Sequence, residues 1–162
     1  DPVGSLFLLL FGFGWAKPVP IDSRYFKNPR RDVALTALAG PLANFLAAWI
    51  GGLNYFGILI VSEGAMPAFF RNFFQAYIII NVALAVFNLI PLPPLDGSKI
   101  LGSFLSARTL ANFYRYQNII VGVAFFVLFF GFLDRPIAFL NQTFLNWVQW
   151  LALLPYRIFG LV

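Results

Sequence analysis

Histidine and cysteine are both absent from the 162 residues of this chain. Without thiols there can be no disulfide, iron–sulfur or thiolate site, and cysteine chemistry gives no clue to compartment. Without imidazoles, a metal site built from this chain alone would have to rely on carboxylates. Glutamate occurs once, at Glu63. Charge of either sign is scarce: 10% of residues are charged, against about 25% in a soluble domain. Hydrophobic residues make up 60% and aromatics 19% of the chain, with 21 phenylalanines. So little polar surface cannot cover a water-soluble globule, and the composition implies a polytopic protein embedded in a lipid bilayer. The pI near 9.9 would suit a nucleic-acid partner. The basic residues, however, are scattered between apolar runs and form no patch interleaved with stacking aromatics. Nucleic acid is therefore excluded, and the positive balance is read as topology information.

What is abundant is long apolar sequence. Pro2 to Trp15 is apolar but only about a dozen residues long, short of the roughly 20 needed to cross a hydrocarbon core. The chain opens Asp1-Pro2 with no basic n-region, which fits neither a signal peptide nor a translation start. It is expected to be a piece of something longer. Gly14-Trp-Ala-Lys17-Pro18-Val-Pro20-Ile reads as extended, since each proline disfavours helix at the residue before it. Its safer role is a linker; the alternative is a strand that pairs with an unwound peptide. Val33 to Val61 is long enough for one tilted span. Gly40, Ala48 and Gly52 form one row of small residues on it, with Ala39, Ala43, Ala47 and Gly51 beside them, a pattern that lets membrane helices approach closely. Pro41 is expected to kink this span.

A short loop from Ser62 to Pro67 leads to a second span, Phe69 to Ile90. Gly97 to Leu110 reads as a short helix capped by Asp96, and Asn118 to Leu133 as another apolar run. Ile137 to Leu154 is amphipathic, with Gln142, Asn146 and Gln149 on one face; it either spans against the bundle or lies at the interface. The expected fold is all-α: a polytopic transmembrane helical bundle, with residues 1–162 forming one membrane-embedded domain truncated at its N-terminus. Basic residues crowd the loop from Lys17 to Arg31 and the segment from Pro91 to Gln117, and none lies near Glu63. By the positive-inside rule both basic segments face the cytoplasm; Arg71 and Arg135 run against this.

Between the second span and the short helix lies Asn88-Leu-Ile-Pro91-Leu-Pro93-Pro94-Leu-Asp96-Gly97. Three prolines interrupt the helix here, and irregular backbone at membrane depth survives only under cover of protein or beside a water-filled cavity. An ionisable side chain at such a break marks a functional site. From the residues alone, Asp96 is either a helix N-cap or a metal ligand. Asn88 either satisfies carbonyls freed by the break or stabilises charge on a substrate. Asn81, two turns earlier, is expected to hydrogen-bond between helices.

This stretch resembles the Asn-x-x-Pro-x-Pro-x-Leu-Asp-Gly signature of the site-2 protease family, the intramembrane zinc metalloproteases. Gly40-Pro41-Leu-Ala-Asn44 is similar to that family's Gly-Pro-x-x-Asn element, and Gly14 to Pro20 looks like the segment before it in compact bacterial members. The resemblance implies that Asp96 is the third ligand of one zinc ion, and that Asn88 lies near the scissile carbonyl. It implies the hydrolysis of peptide bonds in unwound transmembrane protein substrates, in a bacterial plasma membrane, with the active site opening to the cytoplasm. The family's two histidine ligands and its general-base glutamate belong to a His-Glu-x-x-His helix. This chain has no such motif, so that helix is expected upstream of Asp1, and the chain alone is expected to be inactive. Asn44 is read as packing before chemistry. The loop at Glu63 is too short to hold an inserted PDZ domain. The alternative is a non-catalytic membrane scaffold or pseudoprotease of the same fold. A small transporter is weaker still, since no inverted repeat is visible.

Overall fold

A computed structural model describes residues 26–161 of the chain. Six helices follow one another: α1 (Pro29–Val61), α2 (Ala68–Leu89), α3 (Asp96–Phe104), α4 (Ala107–Arg115), α5 (Gln117–Phe129) and α6 (Asp134–Ile158). The expected all-α architecture is observed. Two of the helices, α1 and α2, are long and apolar enough to cross a membrane. The reading of Gly14 to Ile21 falls outside the described residues.

Helix α1 starts where its sequence provides for it. Pro29 stands in the first turn, where a missing N–H costs nothing. The Asp32 carboxylate reaches back to accept from the Asn28 amide at 3.0 Å. The helix runs through Pro41 without interruption and ends at Ser62. Glu63 and Gly64 then take positive φ, and the Gly64 amide donates to the Leu59 carbonyl at 2.9 Å, which closes the helix end. Helix α2 returns antiparallel. Arg71 is spent locally here: its guanidinium donates to the Met66 carbonyl at 3.2 Å. It stops at Leu89 because Ile90, held extended by Pro91, cannot continue the helix.

The core lies where α1, α2 and α6 meet, and it is built from small side chains: Ala48, Val82, Val86 and Val148, ringed by Phe45, Ile78, Phe144 and Leu145. The larger apolar side chains point outward, among them Leu46, Ile50, Phe73, Ile79, Ile80 and Trp150. Such a surface suits lipid and not water. The small-residue rows of α1 divide between two neighbours. A Cβ on Gly51 would sit 2.7 Å from the Tyr77 ring of α2, and one on Gly52 would sit 2.9 Å from Ala152 Cβ of α6. Ala39 and Ala43, read as part of the same surface, are exposed.

Three pairs along α1 and α6 set how the last helix stands. Phe45 meets Phe144 edge to face at 5.7 Å, Gly52 meets Ala152, and the Tyr156 hydroxyl donates to the Leu53 carbonyl at 2.7 Å. The pairs ascend together, so α6 runs parallel to α1 within the bundle. Helix α5 has 13 residues, about 20 Å at ~1.5 Å per residue, which is short of a ~30 Å hydrocarbon core. It lies at 83° to α6, across the short break at 130–133. The expected single helix from Gly97 to Leu110 is two helices. Ser106 Oγ accepts from the Thr109 amide at 3.2 Å and starts α4 as a separate element.

Candidate metal centre

The proline break folds as two tight turns. The Leu92 amide donates to the Ile90 carbonyl at 2.8 Å, and the Leu95 amide donates to Leu92 at 2.9 Å. This brings the chain back against the end of α2, and Gly97 is where it touches. A Cβ at Gly97 would overlap the carbonyl oxygens of Leu89 and Ile90. Only glycine permits that approach. Asn88, half-buried in the last turn of α2, is thereby set beside the start of α3.

Asp96 does not cap α3, which corrects the expected N-cap. Leu95, extended after Pro94, occupies the cap position, and no side chain bonds the free amides. The helix begins one residue earlier than the sequence suggests and takes Asp96 into its first turn. A carboxylate there is still favoured by the helix dipole, and its oxygens remain available sideways. The polar work around the turn falls to Ser98, buried, whose hydroxyl donates to the Leu95 carbonyl at 2.7 Å.

The two oxygens of Asp96 have different surroundings. Lys99 Nζ donates to Oδ1 at 2.7 Å, and the two side chains are 29% (Asp96) and 35% (Lys99) exposed. Oδ2 faces α1 at Gly40, where an added Cβ would stand 3.2 Å away. Gly40 lies about 16 Å along α1 from Pro29, at ~1.5 Å per residue. It is itself exposed, so this oxygen borders an open face of the bundle. Asn44, one turn further along α1 on the same side, is half-buried. The fold thus brings Gly40, Asn44, Asn88 and Asp96 to one end of the bundle from three helices. Asn81 stands apart. Its amide donates to the Tyr77 carbonyl of its own helix at 2.9 Å, not to a neighbouring helix as expected.

Among the described residues, no three of His, Cys, Asp and Glu converge as a metal-binding group. Asp32, Glu63 and Asp134 do not complete such a group around Asp96. A catalytic zinc takes three protein ligands, so these residues offer one ligand and need two from elsewhere. What they offer fits: an oxygen donor held by a neighbour on one side and open on the other. The clefts that flank the break are apolar. One, of about 280 Å³, lies between Leu89, Pro91, Ile137 and Phe144; the other, of about 260 Å³, lies between Pro93, Pro94, Val121 and Leu128. Neither is lined by Asp96. The pairing with Lys99 escaped the sequence reading, although the i, i+3 spacing of opposite charges on a helix was there to signal it.

Comparison with known proteins bears on the same region. The family model described as Peptidase family M50 matches residues 51–131, half of the chain. The protein named "Putative zinc metalloprotease YwhC" of Bacillus subtilis is 40% identical over 106 residues, covering 62% of this chain and 48% of that protein. "Putative zinc metalloprotease MJ0611" of Methanocaldococcus jannaschii is 35% identical over 101 residues, covering 61% and 49%. The chain spans about half the length of the curated relatives it matches. No solved structure matches it.

Proposed function

From the premise that this chain belongs to peptidase family M50, the site-2 protease family, we propose that it carries the Leu-Asp-Gly half of an intramembrane zinc metalloprotease site. The observation that carries the reading is the placement of Asp96 Oδ2 beside Gly40, on an open face lined by the small residues Ala39, Gly40 and Ala43. Small residues admit a close helix, and a helix packed there would bring its side chains to Asp96. On this reading that helix bears the His-Glu-x-x-His motif, supplied from outside the 162 residues.

Each residue then has a stated task. Asp96 is the third zinc ligand. Asn88, at the unwound end of α2, donates its amide to the oxyanion that forms on the scissile carbonyl. Zinc, when bound, supplies a water of lowered pKa and polarises that carbonyl. The substrate is a transmembrane protein segment, unwound at the bond to be cut. The names of both relatives, as zinc metalloproteases, support this reading.

The protein is read as a multi-pass component of a bacterial plasma membrane whose site opens to the cytoplasm. Supporting this, Lys27, Arg30 and Arg31 lie at or just before the start of α1 and Arg135 at the start of the parallel α6, while Arg71 and Arg157 lie towards the Glu63 end. Arg135, contrary by sequence order alone, stands at the foot of α6 beside the basic end.

The test is metal content. The full-length protein should hold one zinc and cleave a transmembrane substrate, and Asp96→Ala should lose both while remaining folded in detergent. The 162-residue chain alone should bind zinc weakly and be inert. Tight one-to-one binding by the chain alone would overturn the reading. A full-length protein that is folded but holds no zinc would favour a non-catalytic scaffold instead.

A further inference from the structure

We propose that Lys99 is a positioning residue for the Asp96 carboxylate: it occupies Oδ1 so that only Oδ2 is presented, over Gly40, to the metal. This rests on the reading of Asp96 as a ligand and deepens it.

The argument starts from the two cation demands on one carboxylate. Lys99 Nζ lies 2.7 Å from Oδ1, a short, charge-assisted contact. Lys99 is three residues after Asp96, so both leave the first turn of α3 on one side, and the approach is set by helix geometry. The opposite oxygen, Oδ2, has the backbone of Gly40 beneath it, and the ideal Cβ position there is 3.2 Å away. Any residue larger than glycine would press on this oxygen. The carboxylate is therefore held between an ammonium on one oxygen and a bare helix surface on the other.

That arrangement decides the binding mode. An ammonium and a zinc ion repel each other, so both cannot share one oxygen closely. With Oδ1 committed to Lys99, the carboxylate offers a single oxygen, and a four-coordinate site keeps a position for water. Without Lys99 the carboxylate is free to turn and to bind through both oxygens. It would also leave a half-buried charge uncompensated whenever metal is absent. The plainer account is an i, i+3 surface ion pair, whose usual contribution is small. The one-third exposure of both partners and the enforced split between the two oxygens argue against it.

The test uses the full-length protein, purified in detergent, with zinc affinity measured by chelator competition and coordination read from the visible absorption of the cobalt(II)-substituted form. Lys99→Met should weaken zinc binding by about 10- to 100-fold, the usual cost of losing a group that orients a ligand. It should also weaken the cobalt absorption, as expected when a fifth donor joins a four-coordinate site. Lys99→Arg keeps the charge and should restore both. Asp96→Ala in parallel separates the two claims. If Asp96→Ala loses zinc while Lys99→Met binds with parental affinity and an unchanged spectrum, Lys99 is only a surface partner and the proposal falls, while Asp96 remains a ligand. If Asp96→Ala retains zinc, both fall. If Lys99→Met is poorly folded, Lys99→Gln, which also removes the charge, carries the decision: weakened zinc binding and cobalt absorption support the proposal, and parental affinity and spectrum overturn it.

Discussion

Gly97 and Leu89 touch through their backbones: a methyl group on Gly97 would overlap the Leu89 carbonyl oxygen. One hydrogen atom therefore decides whether the chain can fold back after the proline break. Because Asn88 and Asp96 are the immediate neighbours of this pair, the contact also limits how far apart these two proposed site residues stand.

Gly97→Ala should accordingly be among the most damaging single changes in the chain. The obstacle is backbone, not a flexible side-chain tip, so relief requires α3 to move off α2. Overpacking of this kind costs about 1–3 kcal/mol or more. Thermal unfolding in detergent should show a lowered midpoint, and zinc content of the full-length protein should fall with it. A parental midpoint with full zinc would mean that the break closes in another way.

Gly40→Ala should separate stability from metal binding. The position is exposed and helical, where alanine is favoured over glycine by up to about 1 kcal/mol. The added methyl, however, meets Asp96 Oδ2 at 3.2 Å, closer than ordinary contact. The expected outcome is an unchanged or raised unfolding midpoint together with zinc affinity lowered by about 10-fold or more. Equal zinc affinity in variant and parent would show that Oδ2 does not face the metal.

Much of this was legible in the sequence, for identifiable reasons. Hydropathy located α1 and α2 because lipid imposes length and apolarity directly. The prolines located the break because they remove donors wherever they stand. The small-residue rows on α1 announced close packing, and Gly51 and Gly52 deliver it to two different helices. Hidden features depended on a second element or on one residue of register. Asp-Gly-Ser leaves Asp96 open as cap or ligand by sequence alone, because the register of the helix start is set by the fold of the break: Leu95, extended, takes the cap position. The short helix was read as one because Ser106 is a weak punctuation mark between two helical stretches. The course of α6 needed Phe45, Gly52 and Leu53, far away in sequence, to fix it beside α1.

Asn88→Ala tests the amide. On the proposed reading, with Asp96 as the ligand, zinc should be retained while cleavage of a transmembrane substrate slows by about 10²–10³-fold, the usual loss for one oxyanion donor. Turnover, not substrate affinity, should carry the change. Cleavage at the parental rate would reduce Asn88 to an amide that serves the end of α2.

Orientation in the membrane can be tested without disturbing the site, because the chain has no native cysteine to give background. Ser62 closes α1, and Ser106, at the start of α4, lies in the basic segment that the positive-inside reading assigns to the other side. The sequence places Ser23 in the basic segment before α1. Single cysteines at Ser23, Ser62 and Ser106 should react with an impermeant thiol reagent in two groups: Ser62 from outside intact cells, and Ser23 and Ser106 only after the membrane is opened. On the proposed orientation the basic segments would supply the driving force, since cytoplasmic retention of Lys and Arg sets overall topology. Reversing charge at Arg30 and Arg31 should weaken that retention before it affects packing, as both are exposed. Labelling of Ser23 and Ser62 from the same side would break the topology, and with it the inference that water and substrate reach Asp96 from the cytoplasm.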